Sequence, residues 1–342
     1  MGILDGRVAL VTGAGQGVGE GIALALAAEG ARVMAAGRTL SKVKGTAEEI
    51  ARRGGAAQAV PCDVKNERDI RACVDATVDA FGGLDILVNN AQEVPLGLMT
   101  TLQRDQVEAG WLSGPLAAEG ARVMAAGRTL SKVKSTAEQI ARRGGTAQAT
   151  ACDVKSESDI RACVEATVDA FGGLDILVNN AQEVSLGLMT ALTRDAVEAG
   201  WLSGPLAAFS FMQAAYPHLK RGRGCVINLA TSAALRPDPA GYGAYAAVKE
   251  ALRAMSRAAA SEWGPDGIRV VCLMPLARSP GYVEWERARP EEAAAFVATV
   301  PLRFVGECEQ DIGRAAVFLA GPDGRYITGS TLVVDGGQGY LR

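Results

Sequence analysis

The chain has 342 residues, of which 49% are hydrophobic, and its formal net charge is −3 at pH 7. A nearly balanced charge without a dense basic run argues against nucleic acid or an anionic membrane as a partner. No stretch approaches roughly eighteen uninterrupted apolar residues, so a membrane-spanning helix is not expected. The seven cysteines and the single histidine, His218, show no metal-ligand spacing, which predicts reduced cysteines and no metal site.

The predicted elements alternate strand and helix from the beginning of the chain. The first strand, RVALVTG from Arg7, leaves no room before it for a signal peptide, so we expect a cytoplasmic protein. It is followed by GVGEGIALALAAEG (helix), ARVMAAG (strand), TLSKVKGTAEEIARRGG (helix), AQAVPCDV (strand), ERDIRACVDATVDAFGG (helix) and LDILVNNA (strand). GCVINLAT, a helix over Gly243–Trp263, IRVVCLMP and TLVVDGG come later. Apolar strands between amphipathic helices predict a parallel sheet with helices on both faces, the doubly wound Rossmann fold of the α/β class.

A long segment of the sequence occurs twice. Leu26–Pro115 and Leu116–Pro205 are identical at 78 of 90 positions, which we interpret as a tandem duplication. Without one copy the chain would have 252 residues, an ordinary size for one α/β domain. We therefore expect a single Rossmann-type domain over residues 1–342, with one copy forming an inserted satellite unit.

A glycine-rich turn, Thr12-GAGQGVG, lies where the first strand passes into the first helix. Gly13, Gly17 and Gly19 allow the backbone to approach a pyrophosphate, and the helix N-terminus offers free N–H groups. Glycine there also simply makes tight turns, so the loop alone is a weak signal. The duplication begins after this loop, and the chain therefore carries one dinucleotide-binding loop.

Together with motifs further along, this loop resembles that of the short-chain dehydrogenase/reductase family. Asp63 follows the third strand, Asn89-Asn90-Ala91 precedes Gln92 where the family has glycine, and Ser232 stands thirteen residues before Tyr245-x-x-x-Lys249. The resemblance implies that Ser232, Tyr245 and Lys249 are catalytic. It implies cofactor contacts from Gly13, Gln16, Gly17, Val18, Gly19, Arg38, Asp63, Val64, Asn90, Tyr245, Lys249, Pro275 and Ser279.

The chemistry of this set suits hydride transfer between a nicotinamide cofactor and a secondary alcohol or ketone. A free tyrosine, with a pKa of about 10, is a poor acid–base group near neutrality. Lys249, one helical turn after Tyr245, places an ammonium on the same helix face and favours the phenolate. The resemblance also implies a small-molecule alcohol or ketone substrate and a homo-oligomer, either a dimer or a tetramer.

Two alternative functions remain open. Tyr242 stands seven residues before Lys249, a spacing that resembles enoyl reductases. The family's catalytic asparagine falls on Gly204, and Pro275-Leu276 stands where Pro-Gly is usual, with Ser279 one position before the family's threonine. These departures and the duplication leave open a catalytically weak or inactive member with a binding or assembly role.

The second strand ends in Gly37-Arg38, without the carboxylate that would repel a 2′-phosphate, so we expect NADP, with NAD as the alternative. We expect the first copy to complete the cofactor site with Arg38, Asp63 and Asn90, because its strands stay contiguous with the glycine loop. The second copy offers Arg128, Asp153 and Asn180 instead. Tyr282, Trp285 and Phe296, between Arg278 and Arg303, predict a lid over an apolar pocket and a hydrophobic substrate.

Overall fold

The computed structural model describes residues 2–64, 66–88, 110–183, 186–232 and 241–339. The chain divides into two compact units, residues 1–98 (unit 1) and residues 99–342 (unit 2). Both are built from parallel strands and helices, which confirms the predicted Rossmann-type α/β class. No helix among these described residues is long and apolar enough to cross a membrane.

Unit 1 is a four-stranded parallel sheet in the order β3-β2-β1-β4. Its central strand β1 places Leu10 opposite Met34 of β2 on one side and Leu87 of β4 on the other. The elements are β1 (Val8–Thr12), α1 (Gly17–Ala28), β2 (Arg32–Gly37), α2 (Leu40–Arg52), β3 (Ala57–Pro61), α3 (Glu67–Phe81) and β4 (Ile86–Val88).

The side chains of β1 alternate between two apolar layers, as the two-residue period of a strand requires. Ala9 and Val11 pack with residues of α1 and α2, among them Val43 and Ile50. Leu10 packs on the opposite face with Cys73 and other residues that precede or belong to α3. Helices therefore cover both faces of β1, and Val8–Val11 are at most 2% exposed.

Unit 2 contains a four-stranded parallel sheet in the order β10-β9-β8-β7 and a separate parallel pair, β5-β6. Its strands are β5 (Arg122–Gly127), β6 (Thr146–Ala151), β7 (Ile176–Asn179), β8 (Cys225–Leu229), β9 (Arg269–Pro275) and β10 (Thr331–Val334). Its helices are α4 (Gly110–Ala118), α5 (Leu130–Arg142), α6 (Glu157–Phe171), α7 (Arg194–Trp201), α8 (Ala207–Gly222), α9 (Gly243–Trp263), α10 (Pro280–Ala288), α11 (Pro290–Val297) and α12 (Arg314–Ala320).

The chain joins α7 to α8 through a π-helical turn, Leu202–Leu206, which contains Pro205. Proline lacks the N–H that an α-helix needs at this point, and a π turn is one way to accommodate it. Ser203, Gly204 and Pro205 are all buried, so this irregular turn lies inside the unit.

The two matching segments fold into the same series of elements but pair differently. β4, of the first segment, pairs with β1, whereas β7, of the second, pairs with β8. β1 therefore lies between strands of the first segment, the copy expected to complete the cofactor site, whereas the second segment, expected to form a satellite unit, contributes β7 to the sheet of β8. Which copy completes that site stays a prediction. The distance along the chain explains the difference in pairing, because β7 precedes β8 far more closely than β4 does and loop closure is cheaper.

Candidate active site

The glycine loop of unit 1 has the backbone that a diphosphate site requires. Gly13 and Gly17 adopt φ values of +66° and +59°, which favour glycine. α1 begins at Gly17, and no side chain among the described residues caps its N-terminus at Gln16. A Cβ built on Gly17 would meet nothing within 4 Å. The open loop and the uncapped helix N-terminus therefore fit the pyrophosphate of a dinucleotide.

The remaining cofactor residues predicted in the first segment lie around this loop or outside the described residues. Gln16 hydrogen-bonds to Lys42, and Val18, 74% exposed, is at the surface, whereas Gly19 is buried. Arg38 and Val64 are exposed, and the backbone N–H of Asp63 donates to Asp69 at 3.2 Å. Asn90 lies outside the described residues.

Ser232, Tyr245 and Lys249 all lie in unit 2, Ser232 shortly after the end of β8 and the other two in the first turns of α9. All three are buried, at 4%, 2% and 2% exposure. The Lys249 Nζ lies 5.9 Å from the centroid of the Tyr245 ring and donates to the carbonyl of Leu229 at 2.7 Å. The helix therefore presents both side chains on its buried face, as the four-residue spacing predicts.

Tyr242, the alternative catalytic tyrosine, occupies the N-cap position of α9. It is half-buried and packs against Tyr245 and Val248. Its backbone carbonyl accepts from Ala246 at 2.8 Å. Tyr242 therefore lies beside the Tyr245–Lys249 pair.

Gln338 is a contact of Ser232 that the sequence did not reveal. The Ser232 hydroxyl donates to the Gln338 Oε1 at 3.4 Å, and Gln338 is only 2% exposed. Asp335 holds this turn, because its carboxylate accepts from the N–H groups of Gly337 and Gly339 at 2.8 and 2.6 Å. The sequence indicated only the final strand here, because no local pattern distinguishes a glutamine that is buried from one that is exposed.

The second segment is joined to β8 through buried amides. Asn179 donates to the Asn228 Oδ1 at 2.8 Å, and Asn228 donates to Ser256 at 2.8 Å. The Asn180 Oδ1 is buried without a hydrogen-bond partner among the described residues. Glu183 accepts from Arg128 at 2.7 Å and from Lys155 at 2.6 Å, so Arg128 is already held by a carboxylate.

Gly204, where the family has asparagine, is in direct contact with Gln182. A Cβ built on Gly204 would stand 2.2 Å from the Gln182 Oε1. The Gln182 Nε2 donates to the carbonyls of Glu183 and Gly200, each at 2.9 Å, while its Oε1 is buried without a partner among the described residues. Both departures from the family, Gln182 in the second copy at the position of Gln92 and Gly204 for asparagine, are visible in the sequence, but their contact is visible only in the structure. Gln182 has a side chain where the family has glycine, and Gly204 has none where the family has asparagine.

Pro275 ends β9 and is buried, and Ser279 begins α10. The Ser279 hydroxyl accepts from the N–H of Tyr282 at 2.8 Å, so it caps the helix. Tyr282, Trp285 and Phe296 contact one another, with ring centroids 5.5 to 6.3 Å apart. Burial raises the pKa of Tyr282, and its hydroxyl has no partner among the described residues. α10 and α11 thus carry an aromatic cluster, and its expected role as a lid over an apolar pocket stays a prediction.

Comparison with known proteins gives a consistent result. The family model described as short chain dehydrogenase matches residues 7–110, and the model described as enoyl-(acyl carrier protein) reductase matches residues 113–338. The 12alpha-hydroxysteroid dehydrogenase of a Clostridium species is 37% identical over 229 residues, which cover 65% of this chain and 88% of that protein.

Solved structures show a similar fold. A putative short-chain dehydrogenase/reductase from Burkholderia xenovorans covers the full length of both chains, with 24% identity and a TM-score of 0.57. A blue fluorescent protein from a metagenomic library, in complex with NADPH, covers 98% of both chains, with 26% identity and a TM-score of 0.55. The fold, the motifs and these matches define an oxidoreductase of the Rossmann type. The chain belongs to the short-chain dehydrogenase/reductase family.

Proposed function

We propose that the protein is an NADP(H)-dependent oxidoreductase that interconverts a hydrophobic secondary alcohol and the corresponding ketone. The observation that carries this proposal is the burial of Ser232, Tyr245 and Lys249, with the Lys249 Nζ 5.9 Å from the Tyr245 ring. The glycine loop, whose backbone suits a diphosphate, supports a dinucleotide cofactor, and the NADPH complex of a structural relative supports the choice of NADP.

In the direction of reduction, Tyr245 transfers its hydroxyl proton to the carbonyl oxygen of the substrate, and Ser232 donates a hydrogen bond to the same oxygen. The Lys249 ammonium stabilises the resulting phenolate, since a positive charge near a phenol favours its ionised form. A nicotinamide dinucleotide held by the glycine loop of Gly13 and Gly17 would supply the hydride chemistry of the reaction in either direction. Gln338, which accepts from Ser232 in the structure, would release that hydroxyl to the substrate.

The substrate class rests on two observations. The aromatic cluster of Tyr282, Trp285 and Phe296 provides apolar surface on α10 and α11. The 37% identical relative is named for a hydroxysteroid, a large and mostly apolar secondary alcohol. An inactive member with a binding role is the second candidate, supported by Gly204 and its contact with Gln182.

The catalytic part of the proposal is tested with Tyr245→Phe. Because the phenol acts in proton transfer, we expect turnover to fall by at least about a hundredfold while NADPH binding, measured by fluorescence titration, is retained. Tyr242→Phe is the matched control and keeps most of the activity. Loss of turnover in the Tyr242 variant instead would favour the enoyl-reductase-like reaction, and a native protein that turns over no alcohol or ketone would support the inactive member.

The cofactor part is tested with Arg38→Ala and Arg128→Ala. We expect NADPH to bind more tightly than NADH, and Arg38→Ala to narrow that difference by about tenfold, because a guanidinium no longer meets the 2′-phosphate. Arg128→Ala, its counterpart in the second segment, leaves the ratio unchanged since Glu183 holds Arg128. If the ratio responds only to the Arg128 variant, the second segment reads the phosphate.

A further inference from the structure

Among the described residues of unit 2, no strand lies between β5 and β7. β5 pairs only with β6 and β7 only with β8 in the part of unit 2 that the structure describes. A cavity of about 530 Å³ separates the facing edges of β5 and β7 and continues beneath α6 and α8. We call the space between these two edges the strand gap. Its walls are mostly apolar, among them Val123, Met124, Ile176 and Val178.

Unit 1 shows what such a space accepts, because there the same two strand sequences flank β1. β2 and β5 both have the sequence RVMAAG, and β4 (ILV) matches the first three residues of β7. In unit 1, β1 pairs in parallel with β2 and β4 at once. The strand gap therefore has the same walls as a space that β1 fills.

The polar groups that hold β1 also have counterparts at the strand gap. In unit 1 the backbone N–H of Arg32 donates to the carbonyl of Arg7 at 2.9 Å. Asp85 accepts from the N–H of Val8 at 2.8 Å and from the Arg7 guanidinium at 3.1 Å. The corresponding residues of the second segment are Arg122 and Asp175, and both line the cavity.

The described residues of unit 2 lack a counterpart of β1 but include α4, the counterpart of the helix α1 that follows β1 in unit 1. α1 and α4 both lead through the sequence LAAEGARVMAAG into the strand that follows. Leu112 and Leu116 of α4 line the cavity. α4 thus precedes β5 as α1 precedes β2. An incoming segment therefore needs to supply only the counterpart of β1.

We propose that the strand gap binds, as a parallel strand, the β1 segment of a second copy of this chain. The register seen in unit 1 places Leu10 between Met124 and Leu177, and Arg7 and the Val8 N–H at Asp175. Each chain carries one β1 and two places that fit it, so the donor copy must release β1 from its own unit 1. The result is exchange of a strand between copies, a form of β-augmentation and domain swapping.

The binding is tested on the full-length chain with a fluorescein-labelled synthetic peptide spanning Asp5–Ala14, without cofactor or substrate. We expect saturable binding with one site per chain, followed by anisotropy, and new protection of the β5 amides in hydrogen exchange. The control peptide carries Val8→Lys and Leu10→Lys and should bind at least tenfold more weakly. Because no turnover is measured, failure here leaves the proposed function untouched.

Two variants of the chain locate the site. Arg122→Pro removes the N–H that corresponds to the Arg32 donor, and proline is tolerated at the first residue of a strand; we expect at least tenfold weaker peptide binding. Arg122→Ala keeps that N–H and binds like the native chain. Asp175→Asn, which leaves the backbone of β5 intact, should also weaken binding, so the test survives if the proline variant fails to fold.

Self-association identifies the second copy as the natural occupant. We expect reversible dimers in sedimentation that the Asp5–Ala14 peptide dissociates and that Arg122→Pro lacks. Absence of saturable peptide binding, or equal binding by the lysine-substituted peptide, overturns the proposal. Dimers that respond neither to the peptide nor to Arg122→Pro also overturn the proposal. A monomer whose β5 amides are protected without peptide overturns it too, because its own β1 would then fill the strand gap.

Discussion

At the residue scale, the contact between Gly204 and Gln182 is the main departure from the family pattern. Gln182 has its Nε2 fixed by two carbonyls, and its Oε1 lies where a side chain at position 204 would begin. Position 204 is therefore glycine because of its neighbour and not because of its backbone, which belongs to a π-helical turn. The cost of a larger residue at 204 depends on what stands at 182.

This dependence predicts a change of sign in a double-mutant cycle. Gly204→Ala should destabilise the native chain by about 1 kcal/mol, because Gln182 must give up hydrogen bonds worth about 1 kcal/mol each. In a Gln182→Ala background the same change should stabilise by about 0.5–1 kcal/mol, as alanine does over glycine in a helix. Denaturant unfolding of the four proteins measures the coupling. Equal effects of Gly204→Ala in both backgrounds would refute the contact.

At the element scale, identical sequences have different surroundings. Leu87 in β4 is 52% exposed, whereas Leu177, its counterpart in β7, is 8% exposed and packs with α6 and α8 residues. Within the described residues of unit 1, β4 pairs with β1 alone. β7 instead belongs to the four-stranded sheet that contains β8. The burial of a strand is thus decided by its partners and not by its own sequence.

The different surroundings of Asp85 and its counterpart Asp175 lead to a prediction about pH. The N–H of Val8, and then Arg7, hold the pKa of Asp85 below its usual value. A depressed pKa in the folded state adds stability above the unfolded pKa of about 3.9, and this stability is lost as pH falls through the folded value. Asp85→Asn should therefore speed amide exchange of β1 at pH 7, and do so less at a pH well below 3.9. Asp175→Asn, at a protein concentration that keeps the chain monomeric, should leave the amide exchange of β1 unchanged at both pH values. Equal effects of the two variants would contradict the contact between Asp85 and β1.

The sequence predicted the individual elements well, and the structure confirms them: the helix expected over Gly243–Trp263 has those bounds, and every predicted strand is present. Local periodicity and glycine stops carry that information. The partners of each strand are harder to predict, because β4 and β7 share the sequence ILV and only the distance along the chain distinguishes them. At the site, the Tyr245–Lys249 spacing predicted the shared helix face, whereas Gln338 and Gln182 reach the site through turns that no local pattern marks.

At the scale of the whole molecule, the residues of the proposed reaction are divided between two units. Unit 1 contains the glycine loop, and unit 2 contains Ser232, Tyr245 and Lys249. The two family models divide the chain in the same way, one matching residues 7–110 and the other 113–338. The match of the second model lies within unit 2 and contains neither β1 nor the glycine loop that follows it.

Removal of the second segment should restore a single continuous sheet. Deleting Leu116–Pro205 joins Pro115 to Leu206 and leaves 252 residues, with one strand of each kind and no competing partner. We expect this protein to fold, to bind NADPH and to be at least as active as the full chain, with one cooperative melting transition in calorimetry. A shortened protein that folds but is inactive would show that the second segment has become part of the working site.

The single β1 strand also links the fold to the timing of its synthesis. The 87 residues between the end of β4 and the start of β7 take about 4 to 17 s to add at ~5–20 residues per second. Strands pair in far less time than this, so β1 has joined β2 and β4 before β7 leaves the ribosome. A chain diluted from denaturant presents both places to β1 at once and loses that order. The history of a sample, newly synthesised or refolded, therefore determines which place β1 occupies.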